Sequence, residues 1–231
     1  MNIERIRQNL ELVQRTIAEA AIRSGRSPST VQLVAVTKRQ PIEAVRAMVE
    51  CGTLDLGENY PQELWAKVEL LPDPKPRWHL IGHLQGNKAK RTLPLVAMIH
   101  GVDSLKLLKT LDTLAESVAE PPSVCLQANL SEEESKHGWT YEGMLAEADA
   151  IADCRNIPIV GLMTIAGYGT TDEEARPAFA RLRTLRDELK RRIDLPLNEL
   201  SMGMSGDYIA AIEEGATLIR VGSALFQGIE E

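Results

Sequence analysis

Residues 3–24 place Ile3, Ile6, Leu10, Val13 and Ile17 at spacings of three and four, the stripe of an amphipathic helix, and Gly25 offers its stop. Beyond it the pattern changes. Eight short apolar runs follow: VQLVAVTK (31–38), TLDLGEN (53–59), RWHLIGHL (77–84), LVAMIHGVD (95–103), SVCLQANL (123–130), IPIVGLMTI (157–165), LNELSMG (197–203) and TLIRVGSALF (217–226). Stretches of helical period separate them. PIEAVRAMVEC opens on Pro41, and TTDEEARPAFARLRTLRDELKRR carries a capping box in Thr171 and Glu174. Continuous apolar runs predict strands buried on both faces, and their alternation with helices predicts right-handed crossovers and a parallel sheet. Eight repeats predict closure. The expected fold is an α/β chain forming a single (β/α)₈ barrel domain over residues 1–231, preceded by one extra helix. An open doubly wound sheet is the alternative, although no run is followed by GxGxxG. Residues 168–172 (YGTTD), after the sixth run, are expected to form a loop over the barrel mouth.

Composition narrows the class without altering that picture. A chain of 231 residues with 44% hydrophobic and 26% charged side chains has material for one sizeable core. Its net charge of −7 argues against nucleic acid or an anionic membrane as partner, so any bound anion must be captured by local groups. Cys51, Cys125 and Cys154 are far apart and form no CxxC, which suits buried thiols in a reducing compartment. The first 25 residues carry acidic side chains and no unbroken apolar run, so neither a signal peptide nor a membrane span is expected there. A cytoplasmic location is the expectation.

Active sites of closed α/β barrels lie at the C-terminal ends of the strands, so the polar residues ending each run carry the functional signal. Lys38 ends the first run. There, desolvation and a neighbouring cation would lower its pKa and make its amine nucleophilic toward a carbonyl. Taken alone, a strand-end lysine is more often solvated or paired with a carboxylate. Support comes from the other side of the chain. Loops after strands seven and eight build phosphate sites in this fold, and here they read Ser201-Met202-Gly203-Met204-Ser205, leading into a short helix at about 206–214, and Gly222-Ser223. Arg220, two residues before Gly222, points into the barrel by strand alternation, where its guanidinium can donate to a ring nitrogen without surrendering a proton. Pairing with Glu199 or Asp207 is the plainer role. His83 and Asn59 are weaker candidates as pocket liners, and Trp78 and Trp139 read as packing residues. The four histidines, 79, 83, 100 and 137, show neither HxH nor HExxH, so spacing gives no metal site.

With these residues assembled, the chain resembles the pyridoxal phosphate homeostasis proteins, the YggS/PROSC family. The motifs that carry the resemblance are AVTK (35–38), LGENYPQE (56–63), WHLIGHLQGNK (78–88), GLMTI (161–165), SMGMSGDYIAAIEEGAT (201–217) and IRVGSALF (219–226). The resemblance implies the fold of the N-terminal barrel of bacterial alanine racemase, with pyridoxal 5′-phosphate (PLP) held as a Schiff base on Lys38. It also implies phosphate contacts from Ser201, from the backbone of Gly203, Met204 and Ser205, and from Gly222 and Ser223. Arg220 would face the pyridine nitrogen, and Asn59, His83 and Met163 would line the pocket. One departure stands at the end, where Gln227 precedes Gly228 and the family more usually has glycine directly after phenylalanine.

Two functions of different class follow. One is a racemase-like PLP enzyme with weak activity; the other is a non-catalytic carrier serving intracellular PLP (vitamin B6) homeostasis, with knock-on effects on amino-acid metabolism. Racemases of this fold resemble two-base catalysts whose second base, a tyrosine, comes from a C-terminal β-domain, and no such domain follows the eighth run here. An unprotonated pyridine beside Arg220 would also be a poorer electron sink. The carrier is therefore the preferred expectation, as a monomer, with apo-forms of PLP enzymes as candidate partners.

Overall fold

The computed structural model describes residues 3–71, 73, 75–130, 137–167 and 171–229. Eight parallel strands close into a barrel in chain order: β1 (Gln32–Val36), β2 (Asp55–Glu58), β3 (Arg77–Leu80), β4 (Met98–Val102), β5 (Ser123–Gln127), β6 (Ile159–Met163), β7 (Glu199–Ser201) and β8 (Leu218–Val221). The helices are α1 (Ile3–Arg23), α2 (Ile42–Glu50), α3 (Pro61–Leu70), α4 (Gly86–Thr92), α5 (Leu105–Ala115), α6 (Tyr141–Ala146), α7 (Ala148–Ala152), α8 (Asp172–Arg192) and α9 (Tyr208–Glu213). Every strand lies inside one of the eight apolar runs. The strands are shorter than the runs because the C-terminal part of each run turns into the loop that carries its polar residues. In β7 the turn comes at Gly203, whose φ of +93° no strand residue adopts.

The barrel closes between β8 and β1, with Gln32 opposite Leu218 and Ala35 opposite Val221. Helix α1 packs outside this seam against α2 and α9, burying Ile6, Leu10, Val13 and Ile17. Asn9 on that stripe donates Nδ2–H to the Leu225 and Gln227 carbonyls at 3.1 and 2.9 Å, tying the chain's end to its beginning. The departure at Gln227 is accommodated because the positive-φ glycine falls at Gly228. Helix α8 starts on the expected capping box, with Thr171 Oγ1 accepting from the Glu174 amide, and buries Phe179, Leu182, Leu185 and Leu189. Each such side chain contributes about 1.5–3 kcal/mol. Of the expected loop 168–172, residues 168–170 lie outside the described residues, while Thr171 and Asp172 open α8. Trp78 and Trp139 are buried packing residues. Cys125 and Cys154 are buried free thiols, whereas Cys51 is only half-buried. Among the described residues no helix is long and apolar enough to cross a membrane.

Candidate functional site

Lys38 stands two residues past the end of β1, on a turn pinned from below. Thr37 N–H donates to the Gly57 carbonyl at 2.9 Å and its hydroxyl donates to Glu58 Oε1 at 2.5 Å. Lys67, reaching back from α3, donates Nζ to the Thr37 carbonyl at 2.8 Å and to Glu58 Oε1 at 2.6 Å. Burial pushes the Glu58 carboxyl above its usual range, against the bonds from Lys67 and Thr37, and among the described residues Oε2 has no hydrogen-bond partner. This clamp fixes the backbone immediately before Lys38. Arg39 after it takes a left-handed φ of 61°, a conformation costly for a non-glycine residue. The Lys38 side chain itself is exposed, so the expected desolvation is not what singles it out. What does is that, among the described residues, Nζ has no carboxylate or other polar partner.

Beside it stand the two small-residue loops. Gly222 lies against the end of β1, where a Cβ would come within 3.2 Å of the Val36 carbonyl oxygen. The amides of Gly222 and Ala224 both point at the Ser205 hydroxyl, at 3.2 and 3.4 Å, so two N–H donors from one loop and a hydroxyl from the other converge. Ser223 is exposed between them. Converging donors of this kind are the arrangement that suits an anion. Gly203 makes the loop possible, since a Cβ on it would fall 2.6 Å from the Ala211 Cβ. The Met204 amide is committed elsewhere, donating to Asp207 Oδ1 at 2.5 Å. Burial raises the Asp207 carboxyl, and that amide opposes the shift. Sequence reasoning missed Ala224, because only its backbone takes part.

Ser201 is the buried serine of the β7 loop candidates. Its hydroxyl is buried inside the barrel, 2.6 Å from Arg220 Nη1 and 2.6 Å from His100 Nδ1. Arg220 points inward, and its Nη2 donates to the Thr164 carbonyl at 3.0 Å. Neither Glu199 nor Asp207 pairs with it: among the described residues no carboxylate lies within 4.0 Å. Burial lowers its pKa to about 10, which still leaves the guanidinium charged at neutral pH.

The network continues down through the barrel. His100 Nε2 is 2.9 Å from His79 Nδ1, His79 Nε2 is 3.2 Å from Asp55 Oδ1, and Arg77 forks onto both Asp55 oxygens at 2.7 and 2.5 Å. The partners dictate the proton positions. A guanidinium only donates, so Ser201 accepts from Arg220; ionised Asp55 accepts from His79 Nε2, and with His79 Nδ1 as an acceptor His100 donates from Nε2 and accepts the Ser201 hydroxyl proton at Nδ1. Burial, with His79 and Arg220 nearby, holds His100 well below the usual imidazole range and hence neutral. Burial pushes the Asp55 carboxyl up, but hydrogen bonds from His79 and Arg77 outweigh it and leave Asp55 well below the usual range.

Over the ends of β2, β3, β5 and β6 lies a cavity of about 280 Å³ lined by Asn59, Gly82, His83, Gln127 and His137 among others. Asn59 and His83 thus line a cavity at the mouth, and Lys38 is not among its lining residues. Met163 is buried in the wall of β6 and does not line this cavity.

Taken together, the β1–β7–β8 side of the mouth offers a primary amine and a buried guanidinium that have no carboxylate partner among the described residues, and amides converging on one point. These groups suit a ligand with an electrophilic carbon, a hydrogen-bond acceptor and an anionic end.

The family model of the alanine racemase N-terminal domain matches residues 1–229. A relative from Pseudomonas aeruginosa called pyridoxal phosphate homeostasis protein is 42% identical over 221 residues, which is 96% of this chain and 94% of the relative. The solved structure of PipY from Synechococcus elongatus with PLP bound is 41% identical, covers 91% of this chain and 99% of its own, and superposes with a TM-score of 0.80. Alanine racemase from Clostridium difficile, at 15% identity and a TM-score of 0.76 over 98% of this chain and 57% of its own, shares the fold.

Proposed function

Because the chain belongs to the alanine racemase N-terminal-domain family, and within it to the pyridoxal phosphate homeostasis proteins, we propose that it binds pyridoxal 5′-phosphate at the β1–β7–β8 rim and serves as a carrier in the homeostasis of that cofactor. The observation that carries this reading is the Lys38 amine, unpartnered on a clamped turn beside the Gly222–Ala224 amides. When bound, PLP supplies an aldehyde that condenses with a primary amine. Lys38 Nζ is that amine, and the Glu58–Lys67 clamp holds its turn in place. The amides of Gly222 and Ala224, with the hydroxyls of Ser205 and Ser223, receive the phosphate. Arg220 donates toward the pyridine nitrogen and, keeping its proton, leaves that nitrogen unprotonated; Ser201, His100 and Thr164 hold the guanidinium in that orientation. Asn59 and His83 line the cavity at the mouth, and Met163 is buried in β6.

A pyridine nitrogen left unprotonated is a weak electron sink, which favours holding the cofactor over catalysing with it. We read residues 1–231 as one cofactor-binding domain, since all eight strands serve a single closed barrel, and as a cytoplasmic monomer whose partners are PLP and apo-forms of PLP enzymes. Three free thiols and a net charge of −7 support that setting and speak against nucleic acid. The test is the visible absorption of the bound cofactor. Lys38→Ala is expected to abolish the lysine-linked band, and an unchanged band overturns the assignment. Transfer of bound cofactor to an apo-enzyme faster than its release into buffer supports the carrier role; amino-acid turnover at about 1–10³ s⁻¹, the ordinary enzymatic range, overturns it.

A further inference from the structure

Two histidines that sequence spacing keeps apart meet at the mouth. His83 follows β3, Asp103 follows β4, and His137 sits where the chain returns to the end of β5. Their ligand atoms all lie within 4.8 Å of one another. His83 Nδ1 is 2.6 Å from Asp103 Oδ2, while His137 Nδ1 is 3.9 Å from the same oxygen. The two rings stack, with centroids 4.8 Å apart and planes inclined by 17°.

A hydrogen bond accounts for His83 on Asp103. It does not account for His137, which stacks on the first ring at a distance from the carboxylate too long for a hydrogen bond. A cation between the three accounts for both rings. Two further features hold the group in place. The Asp103 side chain is only 8% exposed, and Ser104 donates to its Oδ1 at 3.3 Å, the kind of outer hydrogen bond that orients a ligating carboxylate. His137 is fixed through its backbone: Gln127 Nε2 donates to its carbonyl at 2.8 Å, and the next residue, Gly138, takes a φ of +120° at a point where a Cβ would lie 2.7 Å from the Gln127 carbonyl oxygen.

We propose that His83, Asp103 and His137 form a site for a divalent transition cation of the zinc class. Two imidazoles and one carboxylate suit zinc, cobalt or nickel, whereas magnesium and calcium require oxygen ligands. Metal–ligand bonds of about 2.0–2.2 Å need ligand atoms roughly 3–3.5 Å apart, which small rotations of the two exposed rings supply. Three protein ligands leave coordination positions open, and His83 and His137 both line the 280 Å³ cavity, so those positions face a space where water or a small chelating molecule fits.

The test is titration of the untagged full chain with ZnCl₂ by calorimetry, and with CoCl₂ by visible absorption. One equivalent of Zn²⁺ is expected to bind, with MgCl₂ failing to compete. His137→Ala, a change at an exposed side chain that leaves the fold intact, and Asp103→Asn are each expected to weaken binding by at least about tenfold. The Co²⁺ spectrum should lack thiolate charge-transfer bands. No binding, wild-type affinity in both variants, thiolate bands from the cysteines, or preference for Mg²⁺ would each overturn the site. The site does not rest on the cofactor reading: His137→Ala is expected to leave the Lys38-dependent band unchanged.

Discussion

Glu58 and Lys67 show what single residues contribute here. A carboxylate at 0% exposure inside the barrel wall carries a large desolvation cost, and Lys67 offsets it while also holding the Thr37 carbonyl beneath Lys38. Lys67→Met is expected to destabilise the protein by about 3–5 kcal/mol in urea unfolding, because it strands a buried acid. The double variant Lys67→Met/Glu58→Leu should recover most of that loss; a double variant as unstable as the single one would show that the ion pair itself is needed. Lys38 and Arg220 were legible in the sequence because each sits at or near the polar end of an apolar run. Lys67 was not, since a lysine in the last turn of an amphipathic helix reads as solvated. The usable signal was Glu58, an acid at the end of an apolar run that needs a nearby cation.

At the scale of elements, the β7–α9 connection decides how the cradle forms. Gly203 ends β7 after three residues and turns the chain at φ +93° against Ala211. Gly203→Ala adds both a strained backbone and a 2.6 Å contact, so it should cost roughly 1–3 kcal/mol of stability and weaken cofactor binding through displaced Ser205. Equal stability and affinity in the variant, measured by thermal unfolding and fluorescence titration, would count against this role. The element order, the opening of α2 at Pro41 and the capping box of α8 were readable because each depends on local propensity and period. Strand lengths were not, because where a strand stops depends on what its neighbour offers in the ladder.

Across the whole molecule, a single hydrogen-bonded chain runs from Arg77 and Asp55 at the N-terminal face of the barrel through His79, His100 and Ser201 to Arg220 beneath the mouth. Unfolded His100 takes up a proton near pH 6.5; folded His100, held well below that value, does not. Stability is therefore present above pH 6.5 and lost as pH falls below it, with a slope approaching about 1.4 kcal/mol per pH unit from this group. Asp55 acts with the same sign at lower pH, and Glu58 and Asp207, whose carboxyls are raised, act with the opposite one. All three are common to wild type and His100→Gln. The variant is thus expected to show a flatter stability profile between pH 6.5 and about 5, measured by denaturant titration at each pH; parallel profiles would refute a neutral His100. By itself the sequence determined the barrel, its extra helix and the strand ends that carry Lys38, Arg220 and the two glycine loops, because period and strand-end chemistry are local. Only the tertiary structure decided that the Ser201 hydroxyl meets Arg220 and His100, and that His83 meets His137. Those pairings depend on which strand ends the closed barrel makes neighbours, and no spacing along the chain encodes a distance across its mouth.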